Sequence, residues 1–216
     1  MSLDLSRIRF DPRDDFLRVL MQQGRVQLDS DWNEWVAQII RRVQAGTLDT
    51  FNGPAVPRMT PDGFRIEAAG GNLRIHPGRM YVDGMLVHCH GGDPDDWDAH
   101  LAETESTAPI DYADQPYYPN PPSLPAAGPH LVYLDVWQRE ITALEAPELI
   151  EQAIGVDTTG RLRSIWQVKL LPDVGNTHCA TANEDIPGWD AIRAPAAARL
   201  TTSTGTPIVD ADPCIV

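Results

Sequence analysis

QQGRVQLDSDWNEWVAQIIRRVQ, residues 22–44, holds the clearest helix signal in this chain of 216 residues. Its apolar side chains recur with a 3.6-residue period and share one face of a helix predicted over about residues 30–45. They are Trp32, Trp35, Val36, Ile39, Ile40 and Val43. The simplest interpretation is an amphipathic helix that covers a sheet of the same chain. A second is that the two tryptophans also anchor a neighbouring subunit, because buried Trp dominates many interfaces.

The residues around this helix suggest how it begins and ends. Asp29, Ser30 and Asp31 offer oxygens to the free amides of a first helical turn, and Gly46 is a plausible end. Upstream, residues 24–28 alternate apolar and polar side chains, which predicts a short strand. An unpaired edge strand invites pairing with another chain. The interface candidates in this part of the sequence are therefore Gln22, Gln23, Arg25, Trp32 and Trp35.

The residues before this strand form a polar, arginine-rich start. Pro12 fits a turn or a first helical position. Phe16, Leu17 and Leu20 hint at a short helical turn. An extended arm that lies on another subunit fits this segment equally well.

Composition limits the class of protein. With 42% hydrophobic residues the chain can bury a core, and its length predicts one or two domains. No run approaches the roughly 18 apolar residues of a membrane helix. The start, MSLDLSRIRF, lacks a secretory h-region, and three cysteines are too few for a disulfide framework. We expect synthesis in a reducing cytoplasm without a signal peptide.

The net charge of −14 is unevenly distributed. Residues 83–115 contain nine acids and no Lys or Arg. These acids are Asp83, Asp93, Asp95, Asp96, Asp98, Glu103, Glu105, Asp111 and Asp114. Such a chain repels phosphate backbones, so no nucleic-acid partner is predicted. A solvated acidic loop is the simplest interpretation of the segment.

Strand patterns dominate the remainder. Residues 64–66 and 72–76 alternate, and Asp83-Gly84 between two β-prone runs predicts a hairpin, giving a small antiparallel sheet over residues 64–90. Residues 131–137 and 161–171 predict two further strands that pair. Residues 140–153 suggest a short helix broken by Pro147. The predicted fold class is α+β and β-rich, with small antiparallel sheets, one prominent amphipathic helix and long loops.

Four segments follow from this pattern: an arm with a short strand (1–28), a helix plus hairpin module (29–90), a long loop (91–130), and a β-rich module that continues the same domain (131–216). The loop is acidic and then rich in proline and tyrosine. A loop this long usually is functional or wraps something. Tyr112, Tyr117 and Tyr118 would offer contact area at low entropy cost and complete the interface candidates. A poorly ordered surface loop is the alternative.

Candidate sites for metals and catalysis are weak. His88-Cys89-His90 and His178-Cys179 contain zinc ligands, but adjacent strand residues point to opposite faces. Residues 91–98 are acidic enough for calcium yet do not match the usual calcium-loop spacing. Arg139, Glu140, Glu145, Glu148, Arg161 and Arg163 suggest a structural ion-pair cluster. No nucleophile, phosphate-binding or paired-carboxylate motif stands out, so we expect no enzyme, no cofactor and no metal.

The wording of several stretches is specific. LMQQGRVQLDSDWNEW, PGRMYVDGMLV, LVYLDVWQREITALEAPELIE and IWQVKLL together resemble an uncharacterised bacterial family found in gene clusters for phage tails and phage-tail-like contractile injection systems. The hairpin wording is also similar to β-modules of phage baseplate and tail-fibre proteins. Members of that family usually continue beyond the point where this chain stops.

The resemblance implies a structural subunit in or near a baseplate. Such a subunit would be homo-oligomeric in a symmetric particle and bound to other tail or baseplate proteins. A tail-fibre-type recognition module that binds surfaces is the first alternative. The second is the N-terminal part of a secreted hydrolase.

Overall fold

A computed structural model describes residues 3–92, 108–125, 128–178 and 180–193. The fold is α+β and β-rich, with small antiparallel sheets and one main helix, as the sequence predicts. The helices within these residues are α1 (Asp29–Phe51) and α2 (Trp189–Arg193). The strands are β1 (Ile66–Ala69), β2 (Asn72–Ile75), β3 (Gly78–Val82), β4 (Met85–Cys89), β5 (Ile110–Asp111), β6 (Leu131–Ile141), β7 (Ile150–Glu151), β8 (Val156–Asp157) and β9 (Arg161–Leu171).

The chain separates into two compact units. The larger comprises residues 1–126 and 132–170, and the smaller comprises residues 127–131 and 171–216. Short 3-10 turns occur at Pro12–Asp14, Tyr112–Asp114, Pro147–Leu149 and Asn183–Asp185. No helix of the described residues is long and apolar enough to cross a membrane.

Helix α1 is longer than its sequence pattern predicts. It begins at Asp29, where the Asp31 carboxylate accepts the Leu28 amide at 3.4 Å. It continues through Gly46, so the predicted stop there is wrong. The helix ends where Asn52 adopts a left-handed conformation and its amide donates to the Leu48 carbonyl at 2.7 Å. A glycine costs only about 1 kcal/mol within a helix, and the favourable turns on both sides outweigh that cost.

The segment before α1 does not form the predicted strand. Gly24, at φ +70°, lies in a turn in which the Arg25 amide donates to the Gln22 carbonyl at 3.3 Å. No strand of the described residues pairs with residues 24–28. The helical turn expected at Phe16 to Leu20 does not form. The helical turn in this described segment lies further upstream, at Pro12–Asp14. Pro12 occupies its first turn, as expected.

The predicted sheet over residues 64–90 is divided in two. β1, β2 and β5 form one antiparallel sheet, in which Ile75 pairs with Ile66 and Ile110. β3 and β4 form a separate hairpin. The division falls at Gly78, whose φ of +135° turns the chain and whose α-carbon packs so close to Gly63 that a Cβ would lie 2.6 Å from it.

The hairpin turn is confirmed. Asp83 and Gly84 have φ angles of 48° and 77°, and Val82 pairs with Met85 across the turn. Two consecutive positive φ angles are the geometry that favours Asp-Gly between twisted strands.

The long strands β6 and β9 pair as predicted, but the predicted helix over residues 140–153 is wrong. β6 continues to Ile141, and the Thr142 carbonyl then accepts the amides of Glu145 and Ala146 in a tight turn. Pro147 cannot donate a helical hydrogen bond, so a single 3-10 turn follows. The chain then forms the β7–β8 hairpin.

The core of the larger unit joins β2, β4, β9 and the segment that follows β5. Its buried side chains are Phe64, Ile75, Val87, Cys89, Tyr112, Trp166 and Val168. The Trp166 ring packs edge-on against Phe64 at 5.0 Å, and its Nε1 donates to the His88 carbonyl at 2.9 Å. Removing a buried ring of this size typically costs about 3–5 kcal/mol. Trp166 therefore holds β9 against the β3–β4 hairpin.

The smaller unit is described only in part. Val174 is buried, and its amide donates to the Pro129 carbonyl at 3.2 Å. In this unit, Trp189 is half-buried and Ile192 is exposed.

Candidate functional site

The apolar face of α1 is open to solvent. Trp32 is 52% exposed and Val43 is 61% exposed, Trp35, Ile39 and Ile40 are between 37% and 45% exposed, and Val36 is half-buried. The prediction that the face of Trp32, Trp35 and Ile39 packs on a sheet of the same chain is therefore wrong. Large apolar side chains clustered on one exposed face commonly mark a binding surface.

The side of α1 that the chain covers is polar. Ser30 and Gln38 are the buried residues of this helix, and Gln38 Nε2 donates to the Glu34 carboxylate at 3.0 Å. At about 100° per residue, these three side chains project almost opposite to the centre of the apolar stripe. The helix thus buries two polar side chains, while Arg41 on the same side and the apolar stripe stay exposed, whereas an ordinary surface helix buries its apolar side.

This orientation is fixed by contacts at the C-terminal half of α1. A Cβ atom on Gly84 would lie 2.3 Å from the Gln44 carbonyl oxygen, so the hairpin tip touches the helix backbone. The Phe51 ring lies 5.5 Å from the Tyr81 ring. Ala55, just beyond the helix, exchanges two backbone hydrogen bonds with Tyr81, at 3.0 and 2.8 Å. The β3–β4 hairpin therefore carries α1 along one edge and leaves its stripe free.

The arm, residues 3–28, is fastened to the N-terminal end of α1. Ser6 donates to Asp29 from both its amide, at 3.0 Å, and its hydroxyl, at 2.6 Å. These two hydrogen bonds hold the pKa of Asp29 below its usual value, and the bond from the Ser6 hydroxyl has the larger effect. Arg9 forms an ion pair with Asp31 at 2.6 Å.

The arm adds apolar area to the helix face. Its exposed apolar residues are Ile8, Phe16, Leu17, Leu20, Met21, Val26 and Leu28. Val26 is the most exposed of them, at 84%. Together with Trp32, Trp35, Ile39, Ile40 and Val43 of the helix, they form what we call the arm–helix surface. This surface lies within the first quarter of the chain.

The arm–helix surface contains a pocket beside Trp32 and Trp35. The Trp32 and Trp35 rings meet edge-on at 5.3 Å. Beside them lies a cavity of about 290 Å³, which is also lined by Val19, Met21 and Asp31. Aromatic walls around a pocket of this size suit one large side chain of a partner.

The other sequence candidates fall into two groups. Gln22, Gln23 and Arg25 lie in an exposed turn near the end of the arm, and their interface role stays a prediction. Tyr112 is only 4% exposed and lies in the core. Tyr117 and Tyr118 pack against that core, with the Tyr117 ring 6.0 Å from Trp166. Most of the surface of these three tyrosines thus packs within the chain, which leaves little of it for contact with a partner.

Gln115 explains why this loop is not a free surface. Its side chain is 5% exposed, donates to the carbonyls of Tyr112 and Val168 at 2.9 and 3.1 Å, and accepts the Val168 amide at 2.6 Å. It therefore satisfies both backbone groups of Val168 as a neighbouring strand would. β5, which pairs with β2, fixes the loop a few residues upstream. Neither contact has a signal in the sequence beyond the residue types themselves.

The candidate metal ligands do not assemble among the described residues. Cys89 is fully buried, and burial, only partly offset by a hydrogen bond from the Gly91 backbone, raises the pKa of its thiol to about 11. His88 is in β4 and His90 follows the strand directly, and their ring centroids lie 4.0 Å apart. No group of three potential ligands occurs in the part of the chain that the structure describes. Cys179 and residues 93–98 of the calcium candidate lie outside it.

The predicted ion-pair cluster forms in part. Arg139 pairs with Glu145 at 2.7 Å. Arg161 instead donates to the Thr159 hydroxyl and the Gly160 carbonyl, at 2.8 and 2.9 Å. These contacts stabilise loops beside β6 and β9 and show no catalytic geometry.

A second exposed apolar patch, which the sequence pattern did not predict, lies on and around the β7–β8 hairpin. It consists of Leu144, Ile150, Ile154, Val156 and Leu162. The signal was present as an apolar residue on each side of Gly155, but residues 140–153 were interpreted as a helix.

Comparison with known proteins adds one finding. A model described as a family of unknown function, DUF6519, matches residues 1–201. No curated protein and no solved structure matches the chain.

Proposed function

The chain belongs to this family of unknown function, and we propose that it is a structural subunit of a phage-tail-like contractile injection particle. We place it in or near the baseplate, where it acts through contacts with itself and with other tail or baseplate proteins. Its apolar N-terminal region is the part that joins it to the particle.

The arm–helix surface carries this proposal. A helix that turns Ser30 and Gln38 inward and Trp32 outward leaves its apolar area unburied within its own chain. Exposed apolar area costs about 25 cal/mol for each Å² left in water, so covering it in an assembly is favourable. The core of an interface is rich in aromatic and apolar side chains of this type.

The specific sequence stretches also support an assembly role. The stretch that begins α1, residues 20–35, and the stretch that holds the hairpin turn, residues 77–87, both resemble the family from tail gene clusters. In the structure, Gln44 in the later part of the same helix lies against Gly84 of the second stretch. The resemblance therefore includes the start of α1 and the hairpin that holds this helix with its apolar face exposed.

The alternative of a surface-recognition module relied on the proline- and tyrosine-rich loop. Its described part, residues 108–125, is bound into the core through Tyr112 and Gln115. The loop contacts therefore favour a structural role for these residues over a receptor-binding one.

Co-sedimentation of the tagged chain with particles from a producing cell tests the proposal. The chain is tagged at its C-terminus in its native gene cluster, and particles are purified by sedimentation. We expect the tagged chain to sediment with sheath, tube and spike proteins at a fixed ratio. A tagged chain that is folded and abundant but stays in the supernatant, apart from sheathed particles, would show that the assignment is wrong.

A further inference from the structure

We infer that the partner of the open α1 face is a second copy of this chain, with the two helices antiparallel about a two-fold axis. This inference rests on the proposed assembly role and names one contact within it. Three properties of α1 and the arm point to the second copy: their local charge, the order of large and small side chains along the stripe, and the placement of charges at its edge.

The first property is charge. The arm and α1 together are nearly neutral, whereas the rest of the chain is strongly acidic. Residues 1–51 contain seven arginines and eight carboxylates, a net charge of −1, whereas the whole chain carries −14. Two copies of an acidic chain repel each other most weakly where each is neutral. Charges farther than about 8 Å away are largely screened at physiological ionic strength. The arm–helix surface is thus a region where like copies repel each other little.

The second property is the order of sizes along the stripe. Trp32 and Trp35 occupy its N-terminal half, whereas smaller branched side chains, Ile39, Ile40 and Val43, occupy its C-terminal half. Parallel helices would set tryptophan against tryptophan. Antiparallel helices set Trp32 against Val43 and Trp35 against Ile40, and such large-against-small packing fills space well.

The third property is the charge order. The first turns of α1 carry Asp29, Asp31 and Glu34, and later turns carry Arg41 and Arg42. Asp31 and Arg42 are eleven positions apart and so lie along the same edge of the stripe. A two-fold axis between antiparallel helices brings Asp31 of one copy level with Arg42 of the other. There Arg42 would join the existing pair of Asp31 with Arg9.

The length of the stripe is adequate for this contact. From Trp32 to Val43 it spans about 16 Å of helix. The arm residues Phe16, Leu17 and Met21 extend the apolar area beside it.

Sedimentation equilibrium of the purified full chain over a concentration series tests the pairing. We expect a dimer for the wild type. Val43→Glu should weaken dimerisation about ten-fold or more, because it buries a charge at the contact. Val156→Glu is the matched control, since Val156 is 54% exposed on the β7–β8 patch, and it should leave dimerisation unchanged. A monomeric wild type, or equal effects of the two variants, would overturn the pairing. Circular dichroism checks that helix content is the same in all chains.

Mixing two variants tests the antiparallel order. Trp32→Lys alone should also weaken dimerisation. An equimolar mixture of Val43→Glu and Trp32→Lys chains should recover a dimer, because each heterodimer then has one Glu–Lys pair and one native Trp–Val pair. In a parallel pair the introduced Glu and Lys would not face each other, so mixing would remove only like-charge contacts and would restore no native contact. A mixture as weak as its components would overturn the antiparallel order.

These results are distinguishable from a failure of the proposed function. A chain that is monomeric alone but sediments with sheathed particles overturns the pairing and leaves the assembly role intact. A chain that dimerises through Val43 but never joins a particle supports the pairing and removes the proposed function.

Discussion

Gly84 at the tip of the β3–β4 hairpin lies directly against the backbone of Gln44 in the middle of α1. A Cβ atom at Gly84 would stand 2.3 Å from the Gln44 carbonyl oxygen. No side chain can occupy that space, so this glycine sets the distance between the hairpin and the helix. The contact determines which face of α1 is covered and which is left for a partner.

Gly84→Ala should therefore destabilise the chain by about 2–4 kcal/mol. About 1–2 kcal/mol comes from a positive φ, and the remainder from the clash with Gln44. Gly70→Ala is the matched control, because Gly70 also has a positive φ but open space around it, and it should lose only the first part. Urea unfolding of both variants measures the difference. Equal losses would show that the hairpin does not touch the helix.

The hairpin was predictable from sequence, whereas its contact with α1 was not. Asp83-Gly84 is a local signal, since the turn needs two positive φ angles in succession. The helix was likewise predictable from its period, although its end at Asn52 was not, because Gly46 is a local signal that neighbouring turns override. No local sequence pattern predicts which side of α1 faces the rest of the chain. That side depends on where Gly84 and Tyr81 meet the helix, which is a long-range relationship.

Gln115 should be a large contributor to stability for a single polar side chain. Gln115→Ala leaves the amide and carbonyl of Val168 without their present partners inside the core, a cost of about 2–4 kcal/mol. Gln138→Ala, at an exposed position on β6, is the control and should change stability by less than about 0.5 kcal/mol. Thermal unfolding compares the two. A Gln115 variant as stable as the control would mean that the loop is not bound to β9.

The loop around Gln115 also shows what composition leaves undecided about an interface. Three tyrosines among prolines fit a contact surface, yet Tyr112 and Tyr118 pack against each other with ring centroids 6.4 Å apart and border the core. Composition indicates how much contact area a loop offers. It does not indicate whether the loop's own chain uses that area.

The buried thiol of Cys89 predicts a loss of stability in alkaline solution. Its pKa is raised from 9.0 to about 11, so the unfolded chain loses the thiol proton before the folded chain does. The stability that this group contributes is complete below about pH 9 and declines by about 2–3 kcal/mol as the pH rises to about 11. Urea unfolding at about pH 8 and about pH 11, compared between wild type and Cys89→Ala, isolates this contribution. An identical alkaline loss in both chains would contradict it.

The link between Ser6 and Asp29 predicts release of the arm in acid. The hydrogen bonds lower the pKa of Asp29, so the stability they contribute is present above pH 3.8 and disappears as the pH falls through the lowered value. At neutral pH, Asp29→Ala should speed exchange of the Ser6 amide hydrogen about ten-fold or more. Asp14→Asn, at an exposed position of the arm, should not. Slow exchange at Ser6 in the Asp29 variant would show that the arm is held elsewhere.

Binding of the chain to purified particles that lack it tests the central claim most directly, namely that the arm–helix surface joins the subunit to its assembly. The measurement is the fraction of added chain that sediments with particles, for wild type, Val43→Glu and Val156→Glu. The account predicts that wild type and Val156→Glu bind equally and that Val43→Glu retains about one tenth of that binding or less. Equal binding of all three chains, or loss only in Val156→Glu, would contradict it.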